Sequence, residues 1–581
     1  MRRPMAQSLL CPLALVLTVL VVGGCAAIPT DSSPRPLGTL GRQRMTTSVP
    51  RPESGMTPES LVRAFLKASA DPTGRHAAAR EFLTPAAAAG WNDQGAATIL
   101  SDINVLSDNR TDRQLTVQVS GRLIGQLAPD GQLTAQSGTS TSTLALVRSG
   151  EDWRIDGALP SGAIMDASQF SASYVTHNLY FADPADHRLV VDPRWLYVGT
   201  SPPADMLLSM LIQGPDPSLT GAVTNEFPAG ATLRRPTEAI SGGGIRIDLS
   251  EVADADRTLL AAQIVWTLSG AGIAGPYEIN VDGSPLDGQY ASGWRTTDLA
   301  QFDPNAGPDP SIGLHAVAGG AFGTVRDGRI TPIPGEFGTT HSLVSAQLSR
   351  SGKRIAAVTQ EGPAPAPQHL LVGPYGGYGS VVAEGPAMSR PSFGVGDDTV
   401  WIVLGGNDIR RMTVDASGGS TRVDSIDPGT IHGLISGPIT ELQLSPDGSR
   451  VALIVGGKIV LAVVNRQPSG AVSIGAARLM APAINSSALS LSWQTPTQLV
   501  VALDSADEAV ETISIDGSQP IALPTGNLTP PVRAIVASSG TVYAADARAM
   551  QRLDFATTQQ DQYWTEVAGT AGATAIPVLP S

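Results

Sequence analysis

The chain contains two cysteines, Cys11 and Cys25, and the placement of the second is the sharpest chemical feature in it. Cys25 follows Gly23 and Gly24 at the end of an apolar run and stands just before a Pro/Ser-rich stretch. Cysteine sulfur is nucleophilic as the thiolate, so a thiol at the edge of such a run is a candidate for covalent modification. The other chemistry-bearing types form no comparable pattern. H-E-x-x-H, G-x-x-x-x-G-K-[ST] and G-x-S-x-G are all missing from the sequence. The seven histidines, His76, His177, His187, His315, His341, His369 and His432, are scattered. His177 and His187 fall across an expected hairpin, where a surface or strand-end role outweighs metal ligation. Asp303, Asn305 and Asp309 supply oxygens in "DPNAGPDP" but lack the Gly and terminal Glu of a calcium loop, so a linker is the better reading. Asp397 and Asp398 are adjacent turn acids that point apart, whereas glycosidase chemistry needs carboxyls converging across a substrate. "TSTST", Thr139 to Thr143, alternates like a polar strand. No catalytic residue, metal site or cofactor is therefore expected, and the chain is read as a binding protein and not an enzyme.

The segment that carries Cys25 has the order of an export signal. Arg2 and Arg3 form a basic start, Leu9 to Val22 is uncharged and apolar apart from Thr18, and small residues follow. Val22-Gly23-Gly24-Cys25 resembles a lipobox, the site of bacterial lipoprotein signal peptidase. That resemblance implies cleavage between Gly24 and Cys25 and a Cys25 bearing an S-diacylglycerol and an N-palmitoyl group. Several acyl chains give stable membrane attachment where one gives marginal binding. The competing reading is an uncleaved anchor, since Met5 to Ile28 carries no charge and is long enough to span. With Cys11 removed and Cys25 capped, the exported chain has no thiol for a disulfide and must rely on core burial.

Core burial is within reach of 581 residues, which suggest several domains. The formal charge is −14, and only Lys67, Lys353 and Lys458 are lysines among 38 basic residues. Without a basic block, the electrostatic footprint of a nucleic-acid binder is missing. Low charge content (15%) combined with 62 Gly and 45 Pro suits a turn-rich, mostly β protein.

Five segments follow from the pattern: a signal peptide over 1–24, a lipidated cysteine and tether over 25–56, and domains over 57–165, 171–290 and 311–581. A flexible tether of about 28 residues has a mean reach on the order of 30 Å. In the first domain, Thr57 and Pro58 open a helix with Leu61, Val62, Phe65 and Leu66 on one face. Strands alternating at Leu115, Val117 and Val119 follow, with a hairpin around Ser149 to Asp152. Helices before a curled antiparallel sheet resemble the NTF2-like cone, an α+β fold. In the second domain, a helix beginning at Pro202 and Pro203 is expected to bury Met206, Leu207, Met210 and Leu211, and a second helix Leu259, Leu260, Ile264 and Leu268. Asp282-Gly283 marks a tight hairpin. This α/β order resembles the GerMN domain, on residues Leu211 to Pro215, Ile245 to Ser250, Gln263 to Leu268 and Val281 to Pro285. The third domain holds two near copies, "SAQLSRSGKRIAAV" from Ser345 and "ELQLSPDGSRVALI" from Glu441. Degenerate versions lie over 390–403, 489–503 and 532–545. Hairpins recurring every 45–50 residues have the period of β-propeller blades, with five to seven blades expected.

The combination of lipobox, tether, NTF2-like cone, GerMN domain and propeller resembles the LpqB lipoprotein family. That resemblance implies a lipoprotein on the extracytoplasmic face of the cell membrane. It would be an accessory to a two-component system of the MtrA–MtrB type, contacting the outer part of the sensor histidine kinase and affecting cell-wall homeostasis and division. The alternative is an envelope scaffold gripping glycan, for which Trp401 and Trp493 are candidate platforms. A propeller enzyme is the distant third.

Overall fold

The computed structural model describes residues 49–581 except 109–110, 186–187, 200–203, 253–254, 468, 556–562 and 573. Gly24, Cys25 and the competing Met5–Ile28 span lie outside the described residues. Among those described, no helix is long and apolar enough to cross a membrane.

The first domain begins where Thr57 caps helix α1 (Pro58–Ala68). Its hydroxyl accepts from the Ser60 amide at 3.2 Å. Leu61, Val62, Phe65 and Leu66 are each 2% exposed or less, so the expected face is the buried one. Full burial of each such side chain is worth about 1.5–3 kcal/mol. After α2 (Thr73–Arg80), a second Thr-Pro pair starts α3 (Pro85–Gly90), with Thr84 as the cap. The sheet holds β1 (Ala97–Asp108), β2 (Gln114–Leu127), β3 (Leu133–Ala135), β4 (Thr139–Ser149), β5 (Asp152–Asp156) and β6 (Ile164–Asp166). Its order is β5-β4-β2-β1-β6, with β3 also on β2 and only β6 parallel to its neighbour. Two register shifts in the β1–β2 ladder, after Ile99 and after Ser101, curl this sheet as bulges do. The end of the expected tether is engaged with it: Ser54 Oγ and the Gly55 amide donate to Asp152 Oδ1 at 3.0 and 3.1 Å.

Helix α4 (Ala167–Ser173) leads into the second domain, which opens with the hairpin β7 (Tyr174–Ala182) and β8 (Leu189–Tyr197). Helix α5 (Ala204–Gln213) buries Leu207, Leu208 and Leu211 completely, while Met206 is 39% exposed and Met210 only half-buried. The buried stripe is therefore rotated by about one residue from the sequence reading. The rotation places Leu207, Leu208 and Leu211 in the core shared with α6 (Arg257–Gly270), with Met210 packed at its edge and Met206 outside it. Helix α6 buries all four residues expected of it and is sunk deeper than an amphipathic helix, since Gln263 and Thr267 are fully buried too. These polar groups are used. Gln263 bridges the Tyr180 carbonyl and the Glu226 amide, and Thr267 accepts from the Tyr180 amide. The sheet joins β9 (Thr232–Leu233), β10 (Glu238–Ala239), β11 (Ile245–Ser250), β12 (Tyr277–Val281) and β13 (Ser284–Pro285). Asp282 and Gly283 both have positive φ, 50° and 81°, as a two-residue hairpin turn of the favoured twist requires.

The third domain is a propeller of six four-stranded blades. Blades two to six each run in chain order, from Leu343–Leu348, Ser392–Phe393, Ile439–Leu444, Ala488–Thr495 and Ala534–Ser538 outward. Blade one is built from both ends of the domain. Its first strand is Ala575–Val578, which pairs antiparallel with His315–Ala318, with Ala318 opposite Ala575 and His315 opposite Val578. This closure sews the ring shut and removes the open edge that each end would otherwise present. It also explains why five sequence copies were visible where six blades exist. The hairpin that marks each blade is contiguous in five of them and split across about 260 residues in the sixth. The Ser-x-x-Gly turns are built alike. Ser445 and Ser349 each accept, through Oγ, the amide of the residue five along, and Gly448 and Gly352 have φ of 74° and 72°.

Candidate functional site

Two polar constellations stand out, and both join parts of the chain remote in sequence. The first lies at the ring centre, where the first strands of successive blades meet. Arg390, just before blade three, donates through Nη2 to the Leu491 carbonyl at 2.6 Å and through Nη1 to the Ile535 carbonyl at 3.3 Å. The same Nη2 pairs with Glu441 Oε1, and Glu441 Oε2 accepts from the Leu491 amide at 3.0 Å. One side chain thus ties blade three to blades four, five and six. Burial pushes the Glu441 carboxyl upward, with Arg390 and the Leu491 amide opposing it. Ser490 and Ser492 add hydroxyls that accept from Ile535 and Ala537 amides of the next blade. The arrangement locks blades together.

The second constellation is the junction of the three domains. Arg194 on β8 forms a paired contact with Asp192, Nη2 to Oδ2 at 2.7 Å and Nε to Oδ1 at 3.2 Å, and reaches Asp130 of the first domain at 2.6 Å. Burial works against the cation, but the Asp192 and Asp130 carboxylates outweigh it and hold the Arg194 pKa above its ordinary value. Asp192 also accepts from the Asp216 amide at 2.9 Å. From the propeller, Arg450 donates to the Val191 carbonyl at 2.7 Å and Arg466 pairs with Asp183. A further tie runs from Thr176 to Asp516 at 3.2 Å. Between them lies a small space of about 30 Å³, lined by Asp192, Asp216, Arg450, Arg478 and Asp516. That volume suits one or two bridging waters and no substrate. One hydrophobic cluster runs from Leu179 in β7 through α5 and α6 to Trp493 and Leu503 of the propeller. Residues Pro50–Ser581 accordingly form one unit.

The residues singled out in the sequence are placed as follows. His177 lies opposite Arg194 in the β7–β8 ladder, and burial lowers its pKa. His187 lies outside the described residues. Asp303 and Asp309 accept amides two residues on, from Asn305 and Ser311, so both serve local turns. Asp397 accepts from Ser351 of the neighbouring blade. Among the described residues, no group of three or more His, Cys, Asp or Glu is placed to hold a metal ion. Trp401 and Trp493 are 3% and 7% exposed, so neither offers a platform to a glycan. Trp493 Nε1 donates to the Gln443 carbonyl at 3.0 Å. Arg390, Glu441, Arg194 and Arg450 were not anticipated. A signal existed for one of them: Glu441 occupies the place that Ser345 holds in the other near copy, and a charged departure on an inner strand marks a position with its own partner.

Comparison with known proteins agrees with this architecture part by part. The profile described as Lipoprotein LpqB, N-terminal domain, matches residues 51–171. That for Sporulation and spore germination matches residues 178–287, and that for the Lipoprotein LpqB beta-propeller domain matches residues 320–580. Proteins named Lipoprotein LpqB match along nearly the whole length. The Rhodococcus opacus (strain B4) protein is 41% identical, covering 98% of this chain and 97% of its own. The Mycolicibacterium smegmatis protein is 39% identical over 97% and 99%. The Mycobacterium tuberculosis (strain CDC 1551 / Oshkosh) protein is 36% identical over 96% and 97%. At that identity and coverage, with all three domains matched in order, the chain belongs to the Lipoprotein LpqB family.

Proposed function

We propose that this protein is anchored by a lipidated Cys25 on the extracytoplasmic face of the cell membrane and acts as an accessory to a sensor histidine kinase of the MtrA–MtrB type. The observation that carries the reading is the buried, charge-paired junction that fuses three domains into one unit. A ring locked by Arg390 and Glu441, and a first domain tied to the second by Arg194, present their surfaces in a fixed relation. Such a body suits recognition, because little freedom remains to be lost on binding. The tether ahead of Ser54 keeps the body near the membrane, where the outer part of a sensor kinase also resides. Local concentration then populates even a weak contact. Family membership supports the lipid anchor, and the Val22-Gly23-Gly24-Cys25 stretch supplies its chemistry.

A binding experiment tests the reading. Full-length lipidated protein in nanodiscs is titrated with the extracytoplasmic part of the sensor kinase, and in parallel with purified cell-wall sacculi. Saturable binding to the kinase segment is expected. Retention on sacculi with no kinase binding would replace the regulator by a glycan-gripping scaffold.

A further inference from the structure

A cleft of about 260 Å³ lies between the first domain and the propeller, beside the charge-paired junction, with Gly517 on its wall next to Asp516. One wall comes from β2 and the residues just after β3, including Arg122 and Gln136. The other comes from blade five and the connection that precedes it, including Asn485, Glu508, Glu511 and Gln519. Clefts between domains are where small-molecule sites concentrate. Glu511, in the third strand of blade five, is 6% exposed, and its Oε2 is buried without a hydrogen-bond partner. A buried carboxylate oxygen left unsatisfied is costly. It is also rare enough to need a cause. Glu508 lines the same wall and is exposed. Burial, with the nearby Glu508 charge adding to it, pushes the Glu511 carboxyl up. On the facing domain, Arg122 is exposed and engages the exposed Asp102 through Nε at 3.3 Å. The neighbouring strand residues Val510 and Ile513 are buried apolar groups.

We propose that this cleft binds a small zwitterion, an amino acid or short peptide whose primary ammonium donates to Glu511 and Glu508 while its carboxylate meets Arg122. The ammonium neutralises the acid pair on the cleft wall. A guanidinium is the natural partner for the other end, since it matches carboxylate geometry with parallel donors. The volume is sufficient for one or two residues. Because the two walls belong to different domains, such a ligand bridges them, which would couple its presence to the anchored body's junction. This inference does not rest on the kinase reading and survives its failure.

Calorimetric titration of the full-length protein in detergent tests it, with alanyl-lysine, putrescine, succinate and calcium as probes. Alanyl-lysine is expected to bind saturably, putrescine more weakly and succinate not at all. Glu511→Gln should weaken alanyl-lysine at least tenfold, and Glu508→Gln, at an exposed position, should weaken it several-fold. Arg122→Gln should weaken alanyl-lysine and leave putrescine unchanged. Thermal melting of each variant confirms folding, and Glu508→Gln serves alone if Glu511→Gln does not fold. No saturable amine binding, affinities unmoved by these carboxylate substitutions, or binding of calcium in place of amines would overturn the proposal.

Discussion

At the residue scale, the fold depends on buried charges that are paired across long distances in the sequence. Arg390 and Glu441 make the clearest case, because removing one member of such a pair leaves the other uncompensated in a low-dielectric setting. Arg390→Met should lower stability by about 3–5 kcal/mol. Adding Glu441→Gln should recover part of that loss, since Gln can still accept from the Leu491 amide while the stranded charge is gone. Chemical denaturation of both single variants and the double reads this directly, and a double variant as unstable as the sum of its singles would refute the pairing. Asp93 offers a second test through pH. Burial pushes its carboxyl up, but Arg75 at 2.9 Å and Arg80 at 3.0 Å outweigh burial and hold it well below the usual carboxylate range. A depressed folded-state value means that the stabilisation is present above the unfolded value, near about 3.9, and is lost as pH falls through the folded one. Asp93→Asn should therefore lower the melting temperature at pH 7, with the gap to the wild type narrowing below about pH 4. A gap constant from pH 7 to pH 3 would contradict the assignment.

At the scale of elements, ring closure is the step on which the propeller depends. Deleting residues 574–581 removes the inner strand of blade one and exposes the His315–Ala318 edge. Loss of cooperative unfolding is expected, with partial rescue by a peptide of the deleted residues added in trans. A truncated protein melting as sharply as the wild type would show that closure is dispensable. The elements were largely legible where one local rule governed them. Thr57-Pro58 specified a helix start, Asp282-Gly283 a hairpin turn, and Ser-x-x-Gly the turn of the two near-copy blades. Legibility failed where tertiary packing chose between local options. Along α5, Met206, Leu207, Leu208, Met210 and Leu211 could form more than one apolar stripe, and contact with α6 selected the one centred on Leu207 and Leu208. Blade one was invisible for a different reason, since its marker hairpin is not contiguous in the chain.

At the scale of the whole molecule, three domains of different architecture act as one unit, and this was the least legible level. Arg450 and Val191, or Thr176 and Asp516, meet only after each domain has folded, so no window of sequence announces them. Aspartates and arginines in the sequence resemble ordinary solvated surface until their partners arrive. Cys25 is the opposite case, a residue whose proposed lipidation is read from its immediate neighbours alone. The central claim joins these two ends: a fixed recognition body, held at the membrane by Cys25, engages a sensor kinase. The most direct test is mild crosslinking in the native host, followed by co-purification of the wild type beside Cys25→Ala. The kinase is expected to be recovered with the wild type and lost with Cys25→Ala, together with the lipid mass and membrane retention. Recovery of cell-wall synthesis enzymes without the kinase, or unchanged membrane retention of Cys25→Ala, would contradict it.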